Sequence, residues 1–471
     1  MIVARGKTAA VPAPRLDLTR RDLIGAGAGV ACAVIAADRA AARDRPRPHD
    51  PRRRPRDRRD WVLPAHDLAA TRAGDRLAGA AVRWRATFEG GVPASAAIAG
   101  ERVFAASAAG AVGALALADG RPLWRRELGT AVYGGGADRR ELGFFSGVAV
   151  AGDRVLVASD RVHCLDAADG RTRWRSEPLR TPASDDFHWG LPAVAAGMVL
   201  VGSGSGAETP TARGRLTAYA LADGARLWSV ATVPEGGNGG GVIGPPSVDL
   251  RAGVVYVATG APYAAVPGDN PGTCSLLALR LADGALLWQD QVHRGDRLGL
   301  DVNSAPAIAG QLLVATAKDG VYAWDRRSRT RRWHVQLTDP LGSAEGAAGP
   351  GDGPEGGPLA LDRRSAYVLS NDGARGTCVA AALALADGRV RWRTELPAPA
   401  FAAPALAGGA TLCVACADGL VHLLDARTGD LAGQADLGEP SAAAPVLSRG
   451  RLVVGTGAQP FVPGSSLVCL G

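Results

Sequence analysis

The chain has very little lysine and no surplus of charge in its main body. Only Lys7 and Lys318 are lysine among 471 residues, so arginine supplies nearly all the basic groups. The formal net charge is +7, but residues 1–60 hold 15 basic and 7 acidic side chains, which leaves about −1 for the rest. A body without a basic surplus gives no reason to expect nucleic-acid binding.

The sequence also lacks the run of about 20 apolar residues that a membrane-spanning helix needs. The strongest candidate, residues 23–37, has fifteen residues rich in Gly and Ala. It follows Arg20-Arg21 closely and precedes the small residues 40–42, an order typical of a twin-arginine export signal. We therefore predict a signal peptide over residues 1–42, no transmembrane helix in the mature chain, and a location outside the cytoplasm. An uncleaved anchor is the alternative.

The next segment is rich in Arg and Pro. Residues 43–60 contain nine Arg and four Asp and no apolar side chain other than Pro, so they have nothing to bury in a core. We expect residues 43–78 to form a disordered linker. Beyond it, the composition of 47% apolar residues with 63 Gly and 31 Pro excludes a disordered chain, a coiled coil and a collagen.

The remaining sequence repeats one short pattern, in which a turn of the Asp-Gly type is followed four residues later by Trp. Asp169-Gly170 and Trp174 are one example, and spacings between successive Trp run from 40 to 60 residues. Seven of the ten Trp fall in this register, so we interpret them first as structural residues. These are Trp84, Trp124, Trp174, Trp228, Trp288, Trp333 and Trp392.

Each repeat predicts a four-stranded antiparallel sheet. Short runs rich in Val and Leu supply the strands, and the turn Gly supplies the positive φ that a tight hairpin needs. Stacking a Trp of roughly 200 Å² against the next sheet contributes up to about 5 kcal/mol at about 25 cal/mol/Å². Sheets that bury one another around a ring form a β-propeller.

The count of repeats predicts an all-β, eight-bladed propeller over residues 79–471. Seven complete units begin near residues 92, 146, 191, 242, 304, 357 and 402, and an eighth begins at 443 without a Trp strand. The strand around Trp84 lacks a unit of its own, so we expect residues 81–88 to close the eighth blade. We expect a monomer, and a loop over residues 339–357.

The repeat resembles that of the pyrroloquinoline quinone (PQQ) propellers. That group includes calcium- and PQQ-dependent alcohol dehydrogenases and non-enzymatic propellers such as the outer-membrane assembly lipoprotein. Three segments are similar to cofactor-site motifs of the dehydrogenases. The resemblance implies that Glu208 is a calcium ligand and that Arg213 of the same segment also belongs to the cofactor-binding site. It further implies that Asp301 is the general base and that Lys318 contacts the quinone.

Two positions depart from the dehydrogenase motifs. Ile243 stands where the resemblance implies a Trp stacked on the quinone, and Ala261 stands where it implies an Asn ligand of calcium. The adjacent Cys pair that covers the quinone in several members is absent. The resemblance therefore implies a decayed or remodelled pocket that keeps Glu208, Asp301 and Lys318.

Other chemistry has little support in the sequence. The seven His show no metal-ligand spacing, and the Gly-rich run 235–241 lacks the Gly-Lys-Ser/Thr of a phosphate loop. Cys413 and Cys416 look like a metal or redox pair, but in a strand positions three apart point to opposite faces. Cys164 is predicted to be a small core residue. Six Cys remain after removal of the signal, and the sequence does not fix their pairing.

Two hypotheses for function follow. The first is an exported propeller that acts as a binding or scaffold module at the cell envelope, with protein partners or a small-molecule ligand at a weak central site. The second is a divergent alcohol dehydrogenase that uses PQQ and calcium. The second requires Glu208, Asp301 and Lys318 to converge at one mouth of the ring.

Overall fold

The computed structural model describes residues 60–133, 140–179, 186–205, 209–264, 270–294, 299–302, 304–338, 359–459 and 461–471. The predicted signal peptide, the linker as far as residue 59, Glu208 and the predicted 339–357 loop lie outside these ranges. Within them the chain forms strands and turns, with no helix. None of the described residues belongs to a helix of the length and apolarity needed to cross a membrane.

Eight small antiparallel sheets, the blades, follow one another along the chain. Each begins with a three-residue inner strand. Blade 1 contains β3 Ala97–Ala99, β4 Arg102–Ala106, β5 Ala111–Ala116 and β6 Pro122–Glu127. Blade 2 contains β9 Ala149–Ala151, β10 Arg154–Ala158, β11 Val162–Asp166 and β12 Thr172–Arg175. Blade 3 contains β14 Ala193–Ala195, β15 Met198–Ser205, β16 Arg215–Ala220 and β17 Arg226–Ala231. Blade 4 contains β18 Ser247–Asp249, β19 Val254–Ala258, β20 Ser275–Arg280 and β21 Leu286–Gln291.

The second half repeats the same order. Blade 5 contains β22 Ala307–Ala309, β23 Leu312–Ala317, β24 Gly320–Asp325 and β25 Thr330–Val335. Blade 6 contains β26 Leu359–Leu361, β27 Ser365–Asp372, β28 Thr377–Ala384 and β29 Val390–Leu396. Blade 7 contains β30 Ala405–Ala407, β31 Thr411–Ala415, β32 Leu420–Asp425 and β33 Leu431–Asp436. Blade 8 contains β34 Val446–Ser448, β35 Arg451–Gly455, β36 Ser466–Leu470 and, from the other end of the chain, β2 Val82–Thr87. The short strands β1 Ala73–Gly74, β7 Ala131–Tyr133, β8 Arg140–Leu142 and β13 Asp186–Phe187 lie outside this plan.

The two ends of the chain meet in blade 8, as predicted. Strand β2 pairs antiparallel with β36, and Trp84 lies opposite Cys469. The eight-bladed all-β propeller is thus confirmed, with the outer strand of its last blade supplied from the N-terminal side.

The Trp of one blade packs against the turn Gly of the next. A methyl group on Gly170 would lie 2.5 Å from Trp124, and the other pairs leave equally little room. Each of these Trp also donates its indole N–H to a carbonyl beside that turn, at 2.9 to 3.2 Å. The pairs are Trp84/Gly120, Trp124/Gly170, Trp174/Gly224, Trp228/Gly284, Trp333/Gly388 and Trp392/Gly429. Because φ is positive at every one of these Gly, the turn and the packing both require glycine.

The contact between blades 4 and 5 is built differently. The turn of blade 5 has no glycine, and Arg329 takes the positive φ instead. Arg326 of that turn lies over the ring of Tyr256 in blade 4 and pairs with Asp249. Trp324 donates its indole N–H to the Asp290 carboxylate at 2.6 Å. Charged and aromatic contacts therefore replace the Trp–Gly packing at this junction.

Residues 60–78, which we name the crossing segment, correct the predicted linker. Its carbonyl groups accept a hydrogen bond from one residue of the inner strand in each of six blades, at 2.7 to 3.0 Å. The donors are the N–H groups of Ile98, Val150, Val248, Ile308, Leu361 and Leu406. The expectation of disorder for residues 43–78 is wrong for this part, because Trp61, Leu63, Ala65 and Ala70 supply the buried apolar surface that residues 43–59 lack.

Arg72 fixes the crossing segment at the inner ends of several blades. Only 4% of its surface is exposed. Its guanidinium donates to the carbonyls of Pro64 at 2.7 Å, Pro404 at 3.2 Å and Pro445 at 3.3 Å. It also lies over the ring of Trp61. One side chain thus joins the crossing segment to blades 7 and 8.

A buried histidine makes the stability of the ring depend on pH. His188 is fully buried, with Nδ1 near the Gly202 carbonyl at 3.2 Å and Nε2 near the Tyr219 hydroxyl at 3.3 Å. Burial lowers the pKa of His188 to about 4, although Asp160 acts in the opposite direction. A histidine whose folded-state pKa lies below the unfolded value of about 6.5 stabilises the fold fully above that value and less as pH falls toward 4.

We expect the free energy of unfolding to drop by about 2 to 3 kcal/mol through His188 between pH 7 and pH 4.5. Urea unfolding at a series of pH values measures this slope. His188→Phe should flatten it over that window, although other groups, such as His163 with its pKa also lowered by burial to about 4, leave a residual slope. Identical pH profiles for the two proteins would contradict the prediction.

Candidate functional site

One face of the ring carries Asp301, Lys318 and Arg213. In every blade the chain enters the inner strand from this face and returns to it at the turn between the second and third strands. We name it the loop face. Asp301 lies on it just before the inner strand β22, and Lys318 lies in the turn between β23 and β24. Residues 17 apart in sequence are brought together by the antiparallel course of blade 5.

Asp301 and Lys318 form an ion pair. Lys318 Nζ lies 3.1 Å from Asp301 Oδ2, and the backbone N–H of Lys318 donates to the Asp301 carbonyl. The other carboxylate oxygen, Oδ1, accepts a hydrogen bond from the backbone N–H of Ala261 in blade 4. Both oxygens of the carboxylate are therefore engaged by groups of the chain itself. A carboxylate has about four acceptor positions, so Lys318 and Ala261 compete with a substrate for about half of them.

A second group of polar side chains lies directly beside this pair. Asp319 Oδ1 is 3.1 Å from His293 Nε2, and Asp319 Oδ2 is 3.7 Å from His334 Nε2 and accepts a 2.6 Å hydrogen bond from Tyr322. Burial alone would raise the pKa of Asp319, but hydrogen bonds from His293 and Tyr322 outweigh it and lower the pKa below its usual value. Burial, and then the bond to Asp319, raises the pKa of Tyr322. The cluster therefore holds Asp319 as an anion.

Tyr263 fills space near the motif around Glu208. Its hydroxyl accepts a hydrogen bond from the backbone N–H of Ser205 at 3.1 Å. A methyl group on Gly204 or Gly241 would lie 2.7 or 2.9 Å from that hydroxyl. The two glycines thus form a cradle, and the Tyr263 hydroxyl occupies it.

The described residues do not fit a complete quinone and calcium site. Ile243 is half-buried where the resemblance implies an aromatic platform, and Ala261 contributes a backbone N–H to Asp301 where it implies an amide side chain. The Gly204–Gly241 cradle is filled by Tyr263. We therefore derive no chemical step through PQQ or calcium.

The other predicted site residues are Arg213 and Glu208. Arg213 lies half-buried between β15 and β16, where it forms a parallel bridge with Gly239. Across the described ranges, no hydrogen bond or ion pair joins Arg213 to Asp301 or Lys318. Glu208 lies outside those ranges, so its convergence with the pair stays a prediction.

Sequence reasoning missed the neighbours that give Asp301 and Lys318 their surroundings. Asp319 directly follows Lys318 and lay inside a segment already singled out, whereas Tyr263 lies two residues beyond the segment that ends at Ala261. His293 and His334 are 41 residues apart, and only the pairing of blades 4 and 5 brings them to one carboxylate. Nothing in their spacing indicates that contact.

The cysteines agree with the sequence reading. The six described Cys are free and buried. Cys413 packs in the cluster shared with blade 8, whereas Cys416 packs in the cluster shared with blade 6. The two thiols therefore point to opposite faces of their sheet, as predicted, and Cys164 is a core residue.

The fold and repeats define an eight-bladed propeller of the PQQ-like class. A family model described as outer membrane protein assembly factor BamB matches residues 108–352 and 317–467. The chain belongs to this family, which confirms the resemblance found in the repeats.

Two curated relatives represent the two branches of that resemblance. The outer membrane protein assembly factor BamB of Bordetella pertussis is 28% identical over 365 residues, 75% of this chain and 78% of that protein. The quinohemoprotein alcohol dehydrogenase ADH IIB of Pseudomonas putida is 33% identical over 184 residues, 32% of this chain and only 26% of that protein.

Solved structures agree on the fold. The quinohemoprotein alcohol dehydrogenase of Comamonas testosteroni matches with a TM-score of 0.71 at 19% identity, over 87% of this chain and 80% of that one. BamB of Moraxella catarrhalis matches with a TM-score of 0.55 at 18% identity, over 82% of this chain and 96% of that one. At these identities the likeness concerns the fold alone.

Proposed function

We propose that this chain is an exported, extracytoplasmic propeller that binds envelope proteins as a monomeric scaffold. The observation that carries the proposal is the engagement of both Asp301 carboxylate oxygens by Lys318 and Ala261. These two contacts tie the carboxylate to neighbouring parts of the fold and compete with a substrate for it, which favours a structural role for Asp301. The long match to an assembly factor, over three quarters of the chain, supports an envelope location and protein partners.

The rim of the ring offers a surface for such partners. The fourth strand of each blade is an edge strand, with one side unpaired. On six of these strands a large aliphatic side chain is 36% to 54% exposed. They are Val82, Leu123, Leu227, Leu286, Val390 and Leu431. An extended partner segment can add to such an edge through backbone hydrogen bonds and cover the aliphatic side chain.

A second function is supported by one observation. The pair Asp301 and Lys318, separated by 3.1 Å, is the part of the dehydrogenase motif that the fold does bring together. A divergent alcohol dehydrogenase dependent on PQQ and calcium would use Asp301 as base, Lys318 at the quinone, and Glu208 and Arg213 in the same site.

Isothermal calorimetry of the mature chain with PQQ, with and without calcium, separates the two functions. For the scaffold we expect no calcium-dependent heat at any accessible ligand concentration. Calcium-dependent binding that disappears in Glu208→Ala and in Asp301→Ala would overturn the scaffold proposal in favour of the dehydrogenase.

The rim is tested by photo-crosslinking in the native envelope. A crosslinking residue at Leu227 should yield a discrete adduct with an envelope protein. An excess of the parent chain without the crosslinker should reduce this adduct, and the Leu227→Lys chain should reduce it less. The matched control is Arg251, an exposed position in the turn after the inner strand of blade 4. Equal labelling at Arg251 and Leu227 would count against the rim as the binding surface.

A further inference from the structure

One turn on the loop face brings together a thiol, a carboxylate and an imidazole. Cys416 directly follows β31, Asp418 lies in the turn, and His422 lies on β32. A sulfur, an oxygen and a nitrogen atom of these three side chains all lie within 4.8 Å of one another. Within the described ranges, this is the one group of three such residues close enough to hold a metal ion.

Backbone hydrogen bonds fix the shape of this turn. The backbone N–H of Cys416 donates to the Leu420 carbonyl at 3.0 Å, and that of Gly419 donates to the Cys416 carbonyl at 3.2 Å. Asp418 Oδ1 accepts the N–H of Leu420 at 2.9 Å. Oδ2 then faces His422 Nε2 at 3.0 Å. The three side chains are therefore placed by backbone hydrogen bonds rather than by a loose loop.

The imidazole is held from its other side. Gln434 of β33 lies with its amide nitrogen Nε2 3.1 Å from His422 Nδ1. Metal-binding histidines are commonly oriented by a hydrogen bond at the second ring nitrogen, and a 180° turn of the Gln434 amide presents its oxygen to an Nδ1–H. His422 Nε2 is then left to the metal, on the side where Asp418 and Cys416 lie.

The repeat does not call for a thiol at this position. The residue that follows the second strand is Ser107 in blade 1, Ser159 in blade 2, Thr259 in blade 4 and Thr456 in blade 8. Hydroxyl groups bind soft or borderline metals poorly, whereas a thiolate binds them well. Cys416 and His422 are both fully buried, and Asp418 is exposed at the turn, which leaves a route for an ion from solvent.

We propose that Cys416, Asp418 and His422 form a zinc-binding site, with a water molecule at the fourth position on the side of Asp418. Ligand atoms around tetrahedral zinc are about 3.3 to 3.6 Å apart, so separations of up to 4.8 Å need to close by about 1.5 Å at most. The thiol proton leaves to solvent as the Zn–S bond forms.

A nucleophilic Cys–His–Asp relay fits the same residues less well. In such a relay one ring nitrogen of the histidine faces the thiol and the other faces the carboxylate. Here the two nitrogens of His422 face Asp418 and Gln434, and the thiol is fully buried. The arrangement suits a coordinated ion and not attack on a substrate.

Cobalt(II) titration of the full-length chain, stripped of metal by a chelator, tests the site. We expect one cobalt per chain, with the sulfur-to-cobalt charge-transfer band and the strong d–d bands of a four-coordinate ion, and displacement by one equivalent of zinc. Cys416→Ser should abolish the charge-transfer band. Cys413→Ser is the matched control, because Cys413 is a buried thiol on the same hairpin that points to the opposite face.

A second variant covers the case in which Cys416→Ser does not fold. In Asp418→Asn the single amide oxygen stays with the Leu420 N–H, so the NH₂ group faces the ion and cannot ligate it. We expect zinc affinity to fall at least tenfold with the circular dichroism spectrum unchanged. The proposal is overturned if the folded chain shows no charge-transfer band, if the band survives in Cys416→Ser, or if Asp418→Asn binds zinc as tightly as the parent.

Discussion

Arg72→Met should lower the free energy of unfolding by at least about 3 kcal/mol. The substitution keeps an apolar stem of similar length but leaves the carbonyls of Pro64, Pro404 and Pro445 without their donor. An unsatisfied buried polar group costs about 1 to 3 kcal/mol, and three carbonyls are affected. The cation over Trp61 is lost as well. Urea unfolding followed by tryptophan fluorescence measures the change.

Arg76→Met is the matched control for this prediction. Arg76 belongs to the same crossing segment but is exposed. An exposed substitution away from special contacts changes stability by about 0.5 kcal/mol or less. Equal effects of the two substitutions would mean that Arg72 is not a fixing point of the crossing segment.

Gly170→Ala should destabilise the ring by about 3 kcal/mol or more. The added methyl group would lie 2.5 Å from Trp124 and 2.8 Å from a second atom of the same indole, so the Trp must shift. Displacement of a packed side chain costs about 1 to 3 kcal/mol. A non-glycine residue at φ of +74° adds about 1 to 2 kcal/mol. The midpoint of urea unfolding should fall accordingly.

Gly152→Ala separates the two costs. Gly152 lies in the same blade and also has a positive φ, of +63°, but a methyl group there meets nothing within 4 Å. The substitution therefore adds the backbone strain but not the steric clash, and we expect the free energy of unfolding to fall by about 1 to 2 kcal/mol. If both variants lose the same amount, packing between neighbouring blades adds nothing at this turn.

The repeated part of the fold could be predicted because the units share the same turn and the same position for Trp. Glycine four residues before Trp fixes a turn and its packing partner, so the sequence shows both the blades and their contacts. The unpaired Trp84 even indicated which strand closes the ring. The agreement is physical: local turn chemistry and inter-blade burial favour the same structure at every repeat.

The crossing segment could not be predicted in the same way. Its hydrogen bonds come from backbone carbonyls, which leave no pattern in the side chains, and its partners are spread over six blades. Trp61 was a signal, since a Trp outside the repeat register in a supposed linker needs a place to be buried. The polar surroundings of Asp301 and Lys318 could not be predicted for a related reason. His293 and His334 meet Asp319 only where blades 4 and 5 come together.

The crossing segment also has a consequence for the order of folding. Arg72 is made early in synthesis, but two of its acceptors lie 332 and 373 residues further along the chain. Contacts between residues so far apart in sequence form late, because the chain between them must first be ordered. Individual blades can form as they emerge, but Arg72 lacks these two acceptors until blades 7 and 8 have been synthesised. A segment synthesised before all the blades thus completes its contacts only after the last blade.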